Sequence, residues 1–311
     1  MSSENSRDYL DVFNKVTKRT EKLLRCNQCG LVYVNENLRT NRSFYYNEKS
    51  EMEESWKEQF PDAMDVYESG AWGVKYHDVE DVTNWQCRSV SDFLGERLNV
   101  PGYTVAEIGA ARGYLLSKIA KQHPKTRLIG IEPSPIMAQI AKKSGAEIIN
   151  GVIENTSFQS NSIDAVIGFG SFIQIRDPLT SLKHINSAIK MGGRILLDSP
   201  NNDSLFRWLI RFLCCHRYIE KISISSSTIE LVKGKVYHPG RFYYYTSNTY
   251  SELLNLAGFE IIDVRYRQPR YIIYGRANIP AAMKLAARVL SIAERLFGKE
   301  SWVEVRGVKR R

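Results

Sequence analysis

The stretch that decides the fold is Thr104–Tyr114, TVAEIGAARGY. It reads as a short apolar strand that ends on an acidic residue, turns through glycines and opens a helix. A strand, a tight turn and a helix N-terminus make the cradle used for nucleotide-type ligands. Gly109 and Gly113 are read as positions where backbone approaches a ligand too closely for a side chain. Glu107 ends the strand with a carboxylate that accepts hydrogen bonds from a cationic or hydroxyl-bearing group.

Two phosphate-binding patterns are excluded. A dinucleotide loop needs glycines at 109, 111 and 114, and the chain carries Gly109, Ala111 and Tyr114. No G-x-x-x-x-G-K-[ST] run occurs. The match is to E/D-x-G-x-G-x-G, with Ala111 in place of the middle glycine. In this the chain resembles the class I S-adenosylmethionine-dependent methyltransferases.

Four later landmarks extend the resemblance over roughly 90–267. RLIGIEP ends a strand on Glu132, 132 − 113 = 19 positions after Gly113. That is about the spacing of roughly 20 at which an acidic residue takes ribose hydroxyls in nucleotide folds. A solvent-exposed strand-end Glu is the alternative. AEIINGVIENTSF places Gly151–Glu154 where the family grips adenine. The family often has an acid after that glycine, and here Val152 stands there. SIDAVIGFGSFIQIRDP is a buried strand, 163–169, followed by a loop and a helix that starts after Pro178. Relatives often carry Glu-His in this loop; the aligned pair is Ile173-Gln174. KMGGRILLDSPN supplies a Gly-Gly turn and a fifth strand. The resemblance implies a Rossmann-like, doubly wound α/β fold with a mostly parallel seven-stranded sheet and an antiparallel edge strand. It also implies S-adenosylmethionine as cofactor. The cofactor positions would be Glu107, Gly109, Ala110, Ala111, Gly113, Tyr114, Glu132, Pro133, Val152, Ile153, Glu154, Phe169 and Gly170.

The expected organisation is an N-terminal appendage over 1–50, a helical lid segment over 51–100 and the cofactor-binding domain over 101–311. Insertions are expected at about 200–245 and 268–300. The appendage holds a C-x-x-C knuckle, Cys26 and Cys29, resembling half of a zinc ribbon. Four ligands make a structural zinc site, and the second pair is missing upstream. A metal-free hairpin that packs on the main domain is expected.

The 311 residues suffice for one large core with an appendage. The first ten residues are polar, no run approaches the roughly 20 apolar residues of a membrane span, and five cysteines make no disulfide framework. A cytoplasmic protein is expected. The net charge of +9 is uneven: residues 190–311 carry 21 basic and 10 acidic side chains, 21 − 10 = +11. The residues before them sum to −2. The last third should therefore hold the acceptor-binding parts and favour an anionic partner.

For chemistry, His238 in VYHPGR is the first candidate base, because imidazole titrates near neutrality. Gln174 is placed to orient an acceptor. Trp72, Tyr76, Arg241 and Tyr243 are candidate acceptor contacts, although aromatics at such spacing are also what a core uses. Amino-directed methyltransferases of planar bases usually carry Asn/Asp-Pro-Pro-aromatic after the fourth strand; GFGSF stands here instead. The expected reaction is methyl transfer to a hydroxyl of a small molecule, such as a cell-surface sugar, a lipid-linked intermediate or a secondary metabolite. Small-molecule C- or N-methylation and a non-catalytic binding protein are the alternatives. Nucleic acid is not the expected partner. Two basic amphipathic segments, 207–221 and 279–297, suit peripheral contact with an anionic membrane at its inner face, or packing within the insertion or in a homodimer.

Overall fold

The computed structural model describes residues 6–14, 19–34, 76–205, 221–224, 227–232, 235–237, 242–267, 289 and 292–310. Strands β1 (Ser6–Asn14) and β2 (Arg19–Cys26) pair antiparallel. A turn follows in which Gly30 N donates to the Cys26 carbonyl at 3.0 Å, and β3 (Val32–Val34) returns along β2. Helix α1 (Tyr76–Leu94) runs into a 3₁₀ turn, Gly95–Asn99.

The alternating core then follows: β4 (Thr104–Ile108), α2 (Tyr114–Gln122), β5 (Arg127–Glu132), α3 (Pro135–Ala141), β6 (Glu147–Asn150), β7 (Ile163–Phe169), α4 (Pro178–Ala188) and β8 (Ile189–Pro200). The helix starts are written in the sequence. Ser134 accepts from Met137 N and Asp177 from Thr180 N, and each is followed by proline at the first helical position. Short strands β9 (Lys221–Ile224), β10 (Ser227–Val232) and β11 (Lys235–Tyr237) form a separate three-stranded sheet within the 200–245 insertion. They were not legible beforehand. After β12 (Tyr243–Tyr244), helix α5 (Ser247–Leu256) begins on a reciprocal Thr246–Thr249 capping box. Strands β13 (Phe259–Arg267) and β14 (Trp302–Lys309) complete the chain.

The main sheet has seven strands in the order β13-β14-β8-β7-β4-β5-β6. β14 is antiparallel to both β13 and β8, one place in from the sheet edge. The contacts from β8 to β6 are parallel. Chain order reverses between β4 and β7, so the crevice for a ligand opens beyond the carboxyl ends of these strands.

Period-two alternation buries both faces. Ala106, Ile108, Ile129, Ile131, Val166 and Leu197 face one core, which also takes Leu24, Leu31 and Tyr33 of the N-terminal hairpin. Val105, Leu128, Ala165, Ile167 and Leu196 face the other, under Val90 and Leu94 of α1 and Leu116 of α2. The hairpin is joined to the later part of the chain, because β3 pairs with β12. A buried ionic triad ties α1 to β14. Glu304 accepts from Ser89 Oγ at 2.5 Å and from Arg306 Nε at 2.6 Å, and Arg306 Nη2 returns to Ser89 Oγ at 3.0 Å.

The glycines of the decisive loop serve packing. Gly113 has φ +74°, and a Cβ there would meet Ser144 Cβ at 3.0 Å and Ala141 Cα at 3.1 Å. A Cβ on Gly109 would meet Ser171 Cβ at 2.9 Å. What each glycine's missing side chain admits within the fold is a neighbouring protein segment. Gly113→Ala should lower stability by about 1–3 kcal/mol, from the left-handed backbone plus the clash. Urea unfolding should show a lower midpoint at an unchanged slope.

Candidate active site

Five chain segments meet at the carboxyl ends of β4, β5, β6, β7 and β8. The centre is Glu132, 8% exposed. Its two oxygens accept from Ala111 N at 2.8 Å and Ser134 N at 2.9 Å. Its backbone carbonyl accepts from Gly151 N at 3.1 Å and Asn150 Nδ2 at 2.9 Å. One residue therefore fixes the loop after β4, the start of α3 and the end of β6. The Gly109 and Ala110 N–H groups both donate to the Ile131 carbonyl, at 2.9 and 3.0 Å. Ala111 holds φ +47°, a conformation uncommon for a side-chain-bearing residue, and the Glu132 bond to its N–H holds it there.

Glu107 is buried beside this staple, and its Oε2 has no hydrogen-bond partner among the described residues. Burial first, and the Glu132 charge second, push its carboxyl well above the usual range. Burial also raises Glu132, against the two backbone N–H bonds that favour its anion. Two carboxyls in one dry site, one of them with an open oxygen, are set for a ligand that brings donors or positive charge.

Tyr114 opens α2 and is 39% exposed, and Ala110 is buried. The Pro133 carbonyl accepts from Asn150 Nδ2 at 3.1 Å. Val152 lies in extended backbone ahead of the Ile153–Asn155 turn. Two expectations, for Glu154 and Tyr243, are corrected here. Ile153 turns its side chain into the apolar core. The Glu154 carboxylate accepts from Arg176 N at 3.1 Å and so braces the loop after β7. Tyr243 is 2% exposed, stacks between Tyr33 and Tyr245, and donates its hydroxyl to the Arg176 carbonyl at 2.8 Å. It is part of the core and presents nothing to an acceptor. Gln174 ends the Phe172–Gln174 turn beyond β7 and is half-buried. Tyr76 begins α1. Trp72, His238 and Arg241 lie outside the described residues.

Beside the loop after β7 stands a cluster that motif reading missed. Asp198, fully buried on β8, accepts from Gly170 N at 2.6 Å and from Arg267 Nη2 at 2.8 Å. The Arg267 guanidinium lies 3.1 Å from the centroid of the Trp85 ring and 5.0 Å from that of Trp302. Phe169 meets Trp85 edge to face at 5.5 Å. Ser171 Oγ and Arg267 Nε are buried without partners among the described residues. The available signal was a lone acid in an otherwise apolar strand, RILLDSP. Such a position is buried by periodicity and needs a cation, but the sequence does not say that the cation is 69 residues away.

Burial raises Asp198 to about 6, against Arg267. The folded value lies above the unfolded one, so the fold favours the neutral carboxyl. That contribution is complete below pH 3.8 and lost as pH rises through about 6. The unfolding free energy of wild type minus that of Asp198→Asn should therefore fall by up to about 3 kcal/mol between these limits and stay flat above them. Urea titrations at fixed pH values read this directly. A flat difference would show that Asp198 is ionised throughout.

With the geometry in hand, comparison with known proteins is direct. A family profile described as a methyltransferase domain matches residues 83–264, more than half of the chain. The chain belongs to this methyltransferase family. It is a class I S-adenosylmethionine-dependent methyltransferase. The tRNA U34 carboxymethyltransferase of Campylobacter curvus is 30% identical over 132 residues, 40% of this chain and 44% of that protein. The uncharacterized methyltransferase YdaC of Bacillus subtilis is 29% identical over 97 residues, 30% of this chain and 54% of YdaC. The chain thus spans about half, or less, of the curated relatives it matches. A solved structure from Listeria monocytogenes, assigned as an S-adenosylmethionine-dependent methyltransferase, superposes with TM-score 0.50 at 16% identity. It covers 74% of this chain and all of that one, and it shows the shared fold.

Proposed function

We propose that this methyltransferase acts on a hydroxyl of a small molecule, held between the loop after β7 and the Asp198–Arg267 cluster. The observation that carries this reading is the unpartnered Glu107 oxygen beside the Glu132 staple. It supports placing the cofactor's polar end there, which would leave the Asp198–Arg267 side for the acceptor. Glu107 would hold the cationic end of S-adenosylmethionine and Glu132 the ribose, with backbone of the loop after β4 and of Val152 around them. Phe169 and Gly170 would bound the methyl. The cofactor supplies an electrophilic methyl on a sulfonium that is already a good leaving group.

The protein's task is then alignment and exclusion of water. Fixing two reactants in line supplies on the order of 7–11 kcal/mol. Trp85 and Trp302, with Arg267 between them, make a flat wall beside Gly170 that suits a polar, partly apolar acceptor. Asp198 joins this wall to the loop after β7 through Gly170 N. His238 is the proposed base for the hydroxyl proton, a role worth roughly 10²–10⁴-fold. The loop GFGSF lacks the Asn/Asp-Pro-Pro-aromatic run of planar-base N-methyltransferases, which argues against a planar-base nitrogen as acceptor. A second reading, an RNA acceptor, is favoured by the tRNA relatives and by the net charge of +9. Nucleoside analysis of tRNA treated with the enzyme separates the two.

Two outcomes are expected. First, a cation brought to Glu107 favours its charged form, so S-adenosylmethionine binding should release protons across the pH range in which the free carboxyl is neutral. Calorimetry in buffers of different ionisation enthalpy measures this. Glu107→Gln should abolish the release and weaken binding at least about tenfold. Proton-neutral binding by wild type at every pH would remove Glu107 from the cofactor site. Second, His238→Ala should lower turnover more than about tenfold at unchanged cofactor affinity; unaltered turnover would remove His238 from the mechanism.

A further inference from the structure

The turn between β2 and β3 carries two thiols, Cys26 and Cys29, both free. The backbone closes it twice: Gly30 N donates to the Cys26 carbonyl at 3.0 Å, and Cys26 N to the Leu31 carbonyl at 2.9 Å. Inside the turn, further N–H groups point at sulfur. Cys26 Sγ accepts from the N–H groups of Cys29 and Gln28, and Cys29 Sγ accepts from that of Leu31. The Cys29 thiol donates to Cys26 Sγ, so the two sulfurs meet directly. Cys26 is buried, whereas Cys29 is only half-buried.

N–H groups aimed at a sulfur favour its anion. Against burial, those of Cys29 and Gln28 hold the Cys26 thiol below its ordinary value. Burial first, and then its hydrogen bond to Cys26, raise the Cys29 thiol against the Leu31 N–H. When the pair loses one proton, the charge settles on the inner sulfur and the remaining proton on the outer one. Arg25 brings positive charge beside the turn, its Nη2 lying 3.4 Å from where a Cβ on Gly30 would stand. A metal is the other partner that two thiolates take, and a structural zinc site uses four ligands. The chain holds no further cysteine and no histidine before His77. Among the described residues, no group of three His, Cys, Asp or Glu is arranged to hold a metal ion.

We propose that Cys26 and Cys29 are a reversible dithiol–disulfide site whose oxidant is a small disulfide of the glutathione type. The Cys29 proton passes to Cys26 along their hydrogen bond. The Cys29 thiolate then attacks one sulfur of the oxidant. The other sulfur leaves as a thiolate and takes the proton now on Cys26. Cys26, again a thiolate, attacks Cys29 Sγ, closes the internal bond and expels the second thiolate, which is protonated by water. Two protein thiols are oxidised to one disulfide, and the oxidant is reduced to two thiols. The half-buried sulfur meets the oxidant and the buried one resolves the mixed disulfide. The turn is tied to the crevice: β3 pairs with β12, Phe242 N donates to the Ile173 carbonyl at 2.7 Å, and Tyr243 donates its hydroxyl to the Arg176 carbonyl at 2.8 Å. A covalent change in the turn thus bears on the strands that hold the loop after β7. This inference goes beyond the acceptor reading and does not depend on it.

The test is incubation of the whole chain with glutathione disulfide in about tenfold excess over glutathione, followed by acid quenching, alkylation in denaturant and peptide mass spectrometry. The peptide with Cys26 and Cys29 should lose two hydrogens and take no alkyl group, and dithiothreitol should restore both alkylation sites. Cys87, which is buried, should stay alkylatable and serves as the internal control. Cys26→Ser should stop at a mixed disulfide on Cys29, because the resolving sulfur is gone. Cys29→Ser should leave Cys26 reacting with the oxidant at least about tenfold more slowly than the wild-type pair, for want of access. Both variants should keep S-adenosylmethionine affinity, which shows that they are folded. A wild-type pair that stays fully alkylatable, or that stops at the mixed disulfide without closing, would overturn the proposal. So would one zinc per purified chain whose removal by a chelator exposes the two thiols.

Discussion

The Glu132 carboxylate is the constraint on which the site depends. Its two oxygens hold Ala111 N and Ser134 N, while its carbonyl holds Gly151 N and Asn150 Nδ2. Three loops that are distant in sequence are thereby fixed to one strand end. The anion is stabilised by these backbone dipoles in a place where burial alone would neutralise it. Glu107 lies within its field and lacks that support, so the two carboxyls diverge in character. One is a structural clamp with lone pairs to spare, and the other is a group waiting for a partner.

A second buried carboxylate organises the corner beside the loop after β7. Asp198 joins Gly170 N to Arg267, and the guanidinium is held flat against Trp85 and near Trp302. Helix α1, the loop after β7, and strands β8, β13 and β14 all contribute to this corner. Breaking one member leaves a buried charge without compensation, so the cluster is expected to behave as a unit. Its carboxyl titrates at about 6, which links the geometry of the loop after β7 to pH near neutrality.

The two clusters lie on opposite sides of the β4–β7 crevice, and that arrangement suits two ligands meeting end to end. The methyltransferase family of residues 83–264 supplies the cofactor half of this picture. The second cluster joins Trp85, Gly170 and Asp198, inside that span, to Arg267 and Trp302, beyond its end. No helix among the described residues is long and apolar enough to cross a membrane.

The sequence by itself determined the strand–turn–helix at 104–114, the parallel order of the core and the acidic residues at 107 and 132. These are local: an apolar run, a glycine, a proline at a helix start and a fixed offset are all readable within about 20 residues. It also determined the helix after Thr246 and its stop at Gly258, for the same reason. Only the tertiary structure decided what those residues touch. Gly109 and Gly113 turned out to admit Ser171, Ala141 and Ser144. Tyr243 and Ile153 went into the core, and Glu154 braces a loop. The Asp198–Arg267–Trp85–Trp302 cluster joins positions up to 217 residues apart (302 − 85 = 217), and no periodicity carries that distance. Pairings between buried polar groups are chosen by which strand ends the fold brings side by side, and that choice is made by the core as a whole.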